Sequence, residues 1–265
     1  MGRKNMFESA QRLKDKLKKR EITIGTWITL GHSAIAEILS NCPFDWLVID
    51  MEHSVIELSQ VQQMIQVISL SGKVPLVRLS DQNPTLIKRV MDAGSAGVIV
   101  PNVKTAEEAK SAVAAVKYPA KGTRGVGLAR AQDYGLSFQK YETWVNKGSI
   151  VIVQIEHVLG VENLRKILDI KDIDGMIIGP YDLSGSIDLP GKLDDPRVEA
   201  LTQKATEIAL EMNVTAGFHV VQPDLEEVKL RIQQGFNLIG YSLDTIILGK
   251  TFRDHLQIIR EEIKS

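Results

Sequence analysis

From about residue 22 to the end of the chain, short apolar runs alternate with longer amphipathic ones. The apolar runs are ITIGTWIT (22–29), WLVIDM (46–51), VPLVRLS (74–80), GVIVPN (97–102), IVIVQI (150–155), GMIIG (175–179), TAGFHV (215–220) and LIGYSLD (238–244). Each has strand length, and near-continuous Val/Ile content marks strands buried on both faces of a parallel sheet. The segments between them have helical spacing. SAIAEILSN opens on Ser33 as its predicted N-cap, LSQVQQMIQVISLSG closes on Gly72, and NPTLIKRVMDAG starts at Pro84 and stops at Gly94. TAEEAKSAVAAVKY, a short helical segment after residue 156, PRVEALTQKATEIALEMN, DLEEVKLRIQQG and a closing helix to about residue 263 complete the alternation. One more helix leads the chain, with Phe7, Ala10, Leu13 and Leu17 on a single face.

Eight strands and eight helices in strict alternation predict one (β/α)8 barrel over residues 1–265, with the leading helix added. A doubly wound open sheet is the runner-up, but no G-x-G-x-x-G follows the first strand. One long break, PAKGTRGVGLARAQDYGLSFQKYETW (119–144), interrupts the pattern. Alternation resumes beyond it, so the break reads as a lid or binding loop within the domain.

In such a barrel the chemistry gathers at the strand C-termini. The polar residues predicted there are Trp27, Asp50, His53, Arg78, Asn102, Gln154, Glu156, Asp182, His219 and Asp244. Gln154 and Glu156 alternate onto one face of their strand. Glu156 and Asp182 stand near neighbouring strand ends, beside the turn Gly179-Pro180; two such carboxylates suit a hard divalent cation, or they cap the following helices. Arg78 keeps its charge and needs an anionic or carbonyl partner, which a ligand or a neighbouring acid supplies. His53 reads as a base, a metal ligand or a surface residue. His219 interrupts an apolar strand and reads as a hydrogen-bonded core histidine, while the clusters KDKLKKR and REEIK read as solvated helix faces.

Composition narrows the classes. The net charge of -1 and the lack of a basic block exclude a nucleic-acid partner, and 44% hydrophobic residues are ample for a core of this size. Cys42 is the only cysteine, so neither an intrachain disulfide nor a thiolate cluster forms, and a reducing cytoplasm fits. No apolar run approaches the ~20 residues that span a bilayer. The N-terminal segment mixes acids with its lysines and lacks an apolar signal core, so it reads as a folded helix and not a targeting peptide.

The stretches GTW, FDWLVIDMEHS, VPLVR, LIKRVMDAGSAGVIVP, YPAKGTRGVG, VQIE and GPYDLSGS, in this order, resemble the metal-dependent (class II) pyruvate aldolases. That family includes 4-hydroxy-2-oxoheptanedioate aldolase and the 2-dehydro-3-deoxyglucarate aldolases. The likeness runs from Gly25 to the last helix, and several spaced motifs in order are more specific than any one. It implies a divalent metal (Mg, Mn or Co) on Glu156 and Asp182, and Arg78 on the pyruvate oxygen. It implies His53 of the D-x-E-H run as the base, with Asp50 opening that run, and Asp92 from a neighbouring subunit raising its basicity. Gln154 and the backbone of the Gly179–Asp182 turn, at Tyr181 and Asp182, would receive the substrate carboxylate. The implied assembly is a homo-oligomer, commonly a trimer of dimers, with the last helix exchanged between subunits.

The chain departs from the family pattern at Tyr181, where a small residue is frequent, at His219 on a usually apolar strand, and at Ser54 and Val55. These positions bear on the aldehyde and not on the metal or the enolate. The expected reaction is reversible cleavage of a 4-hydroxy-2-oxo acid to pyruvate and an aldehyde. A Schiff-base route would need a lysine at a strand C-terminus, and none is predicted there. Two other readings are a citryl- or malyl-CoA type lyase, for which no basic patch is evident, and a barrel that binds an oxo acid without turnover.

Overall fold

Every one of the eight apolar runs forms a strand in the computed structural model, which describes residues 6–264. They are β1 (Thr23–Ile28), β2 (Trp46–Asp50), β3 (Val74–Arg78), β4 (Gly97–Val100), β5 (Ile150–Ile155), β6 (Gly175–Ile178), β7 (Ala216–Val220) and β8 (Leu238–Leu243). All pair in parallel with their sequence neighbours, and β8 returns to β1, so the barrel is closed and has no sheet edge. The helices are α1 (Met6–Lys18), α2 (Ser33–Ser40), α3 (Leu58–Leu70), α4 (Pro84–Asp92), α5 (Ala106–Val116), α6 (Phe138–Gly148), α7 (Val158–Glu162), α8 (Leu164–Leu168), α9 (Pro180–Gly185), α10 (Pro196–Glu211), α11 (Leu225–Gln233) and α12 (Asp244–Lys264). No described helix is long and apolar enough to cross a membrane.

Local chemistry sets the ends of these elements. Asn83 caps α4 by accepting the Thr85 N–H at 2.8 Å, and Pro84 occupies the first helical position. Gly72 and Gly94 end their helices at φ +79° and +99°, a conformation that costs a side-chain-bearing residue. The predicted cap at Ser33 is corrected by one residue: His32 Nδ1 accepts the Ala34 N–H at 3.1 Å. A histidine can cap when its unprotonated ring nitrogen faces the helix start.

Two indoles fill the barrel. Trp27 and Trp46 are fully buried and pack edge to face, with ring centroids 5.7 Å apart. A Cβ at Gly240 would lie 2.3 Å from the Trp27 ring, so a glycine on β8 makes the room for it. At the other end α1 seals the barrel, burying Ala10, Leu13 and Leu17. Lys14 Nζ donates to Ser149 O at 2.7 Å and reaches Asp174 at 2.6 Å, while Thr215 Oγ donates to Leu17 O. Ser149, Asp174 and Thr215 immediately precede β5, β6 and β7, so these bonds tie the leading helix to the strand N-termini.

The long break is part helix. A 3-10 turn (Arg130–Gly135) and α6 occupy its second half. It joins the end of α5 to the start of β5, and helices in this fold run antiparallel to the strands. The segment therefore lies at the strand N-termini, where Arg130 Nη1 donates to Ala93 O at 3.0 Å. The segment read as a lid or binding loop therefore stands at the end of the barrel opposite the strand C-termini, because it connects a helix to a strand.

Candidate active site

Parallel register puts Asp50 of β2 directly beside Arg78 of β3. The guanidinium donates through Nε to Asp50 Oδ1 at 2.9 Å and through Nη2 to Oδ2 at 2.6 Å. Both residues are almost fully buried, and a bidentate fork of this kind fixes the plane of the arginine. Nη1 is left 3.3 Å from Glu52 Oε2. Asp50 Oδ1 also accepts the backbone N–H of Glu52 at 3.0 Å and of His53 at 3.4 Å, and Ser54 Oγ donates to Asp50 O. Asp50 thus orders both the arginine and the turn that carries His53.

Gln154 and Glu156 share the inward face at the end of β5, as their alternation predicts. Gln154 Nε2 donates to Glu156 Oε2, and the backbone N–H of Asn102 donates to Glu156 Oε1 at 2.6 Å. Asn102 adopts φ +51° to turn its N–H inward, so its contribution is backbone and its side chain is exposed. Gln154 Oε1 is buried and has no hydrogen-bond partner among the described residues. Gly179 follows β6 and caps α9; a Cβ there would meet Glu156 Oε2 at 2.6 Å and Gln154 Nε2 at 2.9 Å. Only glycine leaves that carboxylate where it is.

Asp182, in the first turn of α9, is more than half exposed and makes no side-chain hydrogen bond among the described residues, and the helix after β5 is capped by His157 Nδ1. Neither Glu156 nor Asp182 therefore serves as a helix cap. His53 Nε2 stands 3.8 Å from Asp182 Oδ2 and 3.9 Å from Glu52 Oε2, at the rim of a cavity of ≈ 210 Å³. Trp27, Asp50, Arg78, Gln154, Gly179, Tyr181, Asp182 and His219 also line it.

Charge in this space is unbalanced. Four carboxylates, Asp50, Glu52, Glu156 and Asp182, face one guanidinium. Burial pushes Glu52 up to about 8, with the Glu156 carboxylate adding to the shift and Arg78 opposing it. Burial likewise pushes Glu156 up to about 7, against the Gln154 hydrogen bond, while Asp182 reinforces it. A surplus of acid, hard oxygen donors and the orphaned Gln154 Oε1 all fit a divalent cation. Among the described residues no group of three or more His, Cys, Asp or Glu side chains converges as a metal cage. A pair of carboxylates, if it held such an ion, would leave coordination positions to water and substrate, as a catalytic metal requires.

Asp92 is not brought to this cavity. It ends α4 at the strand N-termini, 3.6 Å from Arg124 Nη2, and burial raises its carboxyl. Asp244, predicted among the strand-end groups, is structural: its carboxylate accepts the N–H of Thr29 and Leu30 and the Thr29 hydroxyl. Glu52 has no role in the sequence-based assignment, although its two-residue spacing from Asp50 was the available signal.

A family profile described as HpcH/HpaI aldolase/citrate lyase matches residues 23–249. The chain belongs to this family. It is similar to the 2-keto-3-deoxy-L-rhamnonate aldolase of Escherichia coli strain K12, with 32% identity over 93% of this chain and 92% of that protein. Among solved structures, an HpcH/HpaI aldolase/citrate lyase family protein from Burkholderia cenocepacia J2315 superimposes with a TM-score of 0.90. Identity there is 30%, over 94% of this chain and 99% of the other. The HpcH/HpaI aldolase of Desulfitobacterium hafniense DCB-2 gives a TM-score of 0.86 at 26% identity, over 94% and 96% of the two chains. Membership makes the chain a carbon–carbon lyase of the class II aldolase type, as the motifs imply.

Among the described residues no lysine lines the cavity, so none of them offers an amine for a Schiff-base route. Lys117, lowered to about 8 by burial with Lys14 adding to the shift, bonds Ser149 at the opposite end of the barrel.

Proposed function

We propose that the protein is a divalent-metal-dependent aldolase that reversibly cleaves a 4-hydroxy-2-oxo acid, or a 2-dehydro-3-deoxy sugar acid, to pyruvate and an aldehyde. The observation that carries this reading is the anchored guanidinium of Arg78, which lines the cavity with Asp182 and lies within electrostatic reach of Glu156. Glu156 and Asp182 would hold Mg²⁺, Mn²⁺ or Co²⁺, which supplies Lewis acidity toward the keto and carboxylate oxygens of the 2-oxo acid.

The chain's own groups account for the remaining steps. Arg78, fixed by Asp50, presents positive charge where negative charge grows on the keto oxygen. Gln154 and the first N–H groups of α9, at Tyr181 and Asp182, are suited to the substrate carboxylate, because helix-start N–H groups have no intrahelical acceptor. His53, at the solvent rim, takes the proton from the 4-hydroxyl as the C3–C4 bond breaks. The aldehyde leaves, and C3 of the resulting enolate takes a proton to give pyruvate. Reversed, the same groups add pyruvate to an aldehyde.

A CoA-type lyase fits less well, since among the described residues Arg78 is the one arginine or lysine lining the cavity and is already paired. The deciding experiment is release of pyruvate from a panel of 2-keto-3-deoxy acids in the presence of Mg²⁺, Mn²⁺ or Co²⁺. Pyruvate binding without release from any of them would establish the non-catalytic reading.

The same proposal includes a homo-oligomer. Helix α12 has no buried residue and carries an exposed stripe, Leu248, Phe252, Leu256, Ile259 and Ile263. Exchange of this helix with a second copy would bury the stripe. Asp92 ends its helix away from its own cavity, which supports its acting on His53 of another subunit. The expected sedimentation result is a closed oligomer, and Phe252→Lys should dissociate it with loss of cleavage. A fully active monomer would remove both the exchange and the Asp92 role.

A further inference from the structure

The groups used above come from β2, β3, β5 and the turn after β6. The facing wall is built by Trp27 and Thr29 of the β1 end, His219 of β7 and Leu243 of β8. His219 stacks flat on Trp27, with ring centroids 4.2 Å apart and planes at 12°. Its Nε2 lies 3.1 Å from Ser242 O. A carbonyl oxygen only accepts, so Nε2 carries the hydrogen. Burial lowers the imidazole to about 4, so the ring is neutral and Nδ1 keeps a bare lone pair. That nitrogen has no hydrogen bond within the described chain. Thr29, the other polar side chain on this wall, donates its hydroxyl to Asp244 Oδ1 at 2.6 Å. With the Thr29 oxygen also taken by the Thr245 hydroxyl at 3.2 Å, the wall offers a rigid, mostly apolar surface whose fixed acceptor is His219 Nδ1.

We propose that His219 is a specificity-determining residue that accepts a hydrogen bond from a hydroxyl of the aldehyde half, selecting short uncharged hydroxyaldehydes. The proposal rests on the aldolase reading. An acidic aldehyde meets no free cation here, because Arg78 is held by Asp50, and its oxygens would face the Nδ1 lone pair. A deoxy aldehyde leaves that acceptor desolvated and unpaired, which a site built to bond a hydroxyl discriminates against.

The test compares kcat/KM for pyruvate addition to lactaldehyde, to propionaldehyde, which lacks only the hydroxyl, and to succinic semialdehyde. The readout is the change in the lactaldehyde/propionaldehyde ratio on substitution, because the hydroxyl also activates the carbonyl itself. His219→Phe keeps a ring on Trp27 and removes the acceptor; the ratio should fall about tenfold, the scale of one hydrogen bond. His219→Leu should do the same, and serves if the phenylalanine variant melts early. His219→Gln, able to donate to Ser242 O and present an oxygen, should restore several-fold of the ratio. An unchanged ratio in both apolar variants overturns the assignment, as does wild-type use of succinic semialdehyde equal to lactaldehyde. Pyruvate methyl proton exchange by the wild type in D₂O with Mg²⁺ separates the two levels. No exchange defeats the aldolase reading itself, whereas exchange with an unchanged ratio defeats only the role of His219.

Discussion

Arg78→Ala is expected to lose pyruvate proton exchange and aldol cleavage together, each by about 10²–10³, the usual worth of one donor aimed at a developing oxyanion. Exchange requires only the enolate, so a loss there cannot come from the aldehyde wall. The substitution also strands Asp50, which is 1% exposed, and breaking a buried pair from one side costs about 3–5 kcal/mol. Thermal melting must accompany the kinetics, because a partly unfolded variant would mimic a catalytic defect. Arg78→Lys keeps the charge yet cannot reproduce the two parallel bonds to Asp50, so partial recovery of both rates is expected. Proton NMR of pyruvate in D₂O reads the first rate and aldehyde release the second. Wild-type exchange combined with failed cleavage would move Arg78 to the aldehyde half.

The barrel was legible because its signal is repeated. Eight apolar runs separated by helical spacing leave few alternatives once connections are short and right-handed. The shared face of Gln154 and Glu156 was legible for the same reason, since strand alternation is geometric. Readings that a sequence leaves open were often both satisfied. Arg78 makes the ion pair of the structural reading and still lines the cavity, and His219 is hydrogen-bonded in the wall yet keeps one nitrogen free. What could not be read was which end of the barrel a segment serves. The 119–144 break reads as a lid or binding loop, and length and Gly content say nothing about direction. Its place between α5 and β5 assigns it to the strand N-termini. Glu52 was passed over despite its two-residue spacing from Asp50, because its burial beside Arg78 and Glu156 depends on three strands meeting.

Glu156→Gln carries the other large effect and separates metal binding from folding. Glu156 is held by the Asn102 N–H and by Gln154 Nε2, both donors. A glutamine at 156 turns one oxygen into an NH₂ that would oppose a donor. Rotation of the Gln154 amide by 180° relieves this, because its Oε1, now buried without a partner, would then accept from the new NH₂. The fold should therefore tolerate the change, and the metal-free variant is expected to melt no lower than the metal-free wild type. Loss of the anionic ligand should weaken Mn²⁺ binding by more than the ~10–100-fold typical of outer-shell partners. Cleavage should fall by about 10³, since Lewis-acid stabilisation of several kcal/mol converts at about 1.4 kcal/mol per factor of ten. The chelated wild type should match it, inactive and still folded, because a pair of carboxylates, one just past β5 and one in the first turn of α9, would form a catalytic site and not a folding clip. Isothermal titration of Mn²⁺, melting curves and pyruvate release, measured on the variant and on EDTA-treated wild type, give the three readouts. Full cleavage after exhaustive EDTA treatment, or undiminished Mn²⁺ affinity in Glu156→Gln, would take the metal away from Glu156.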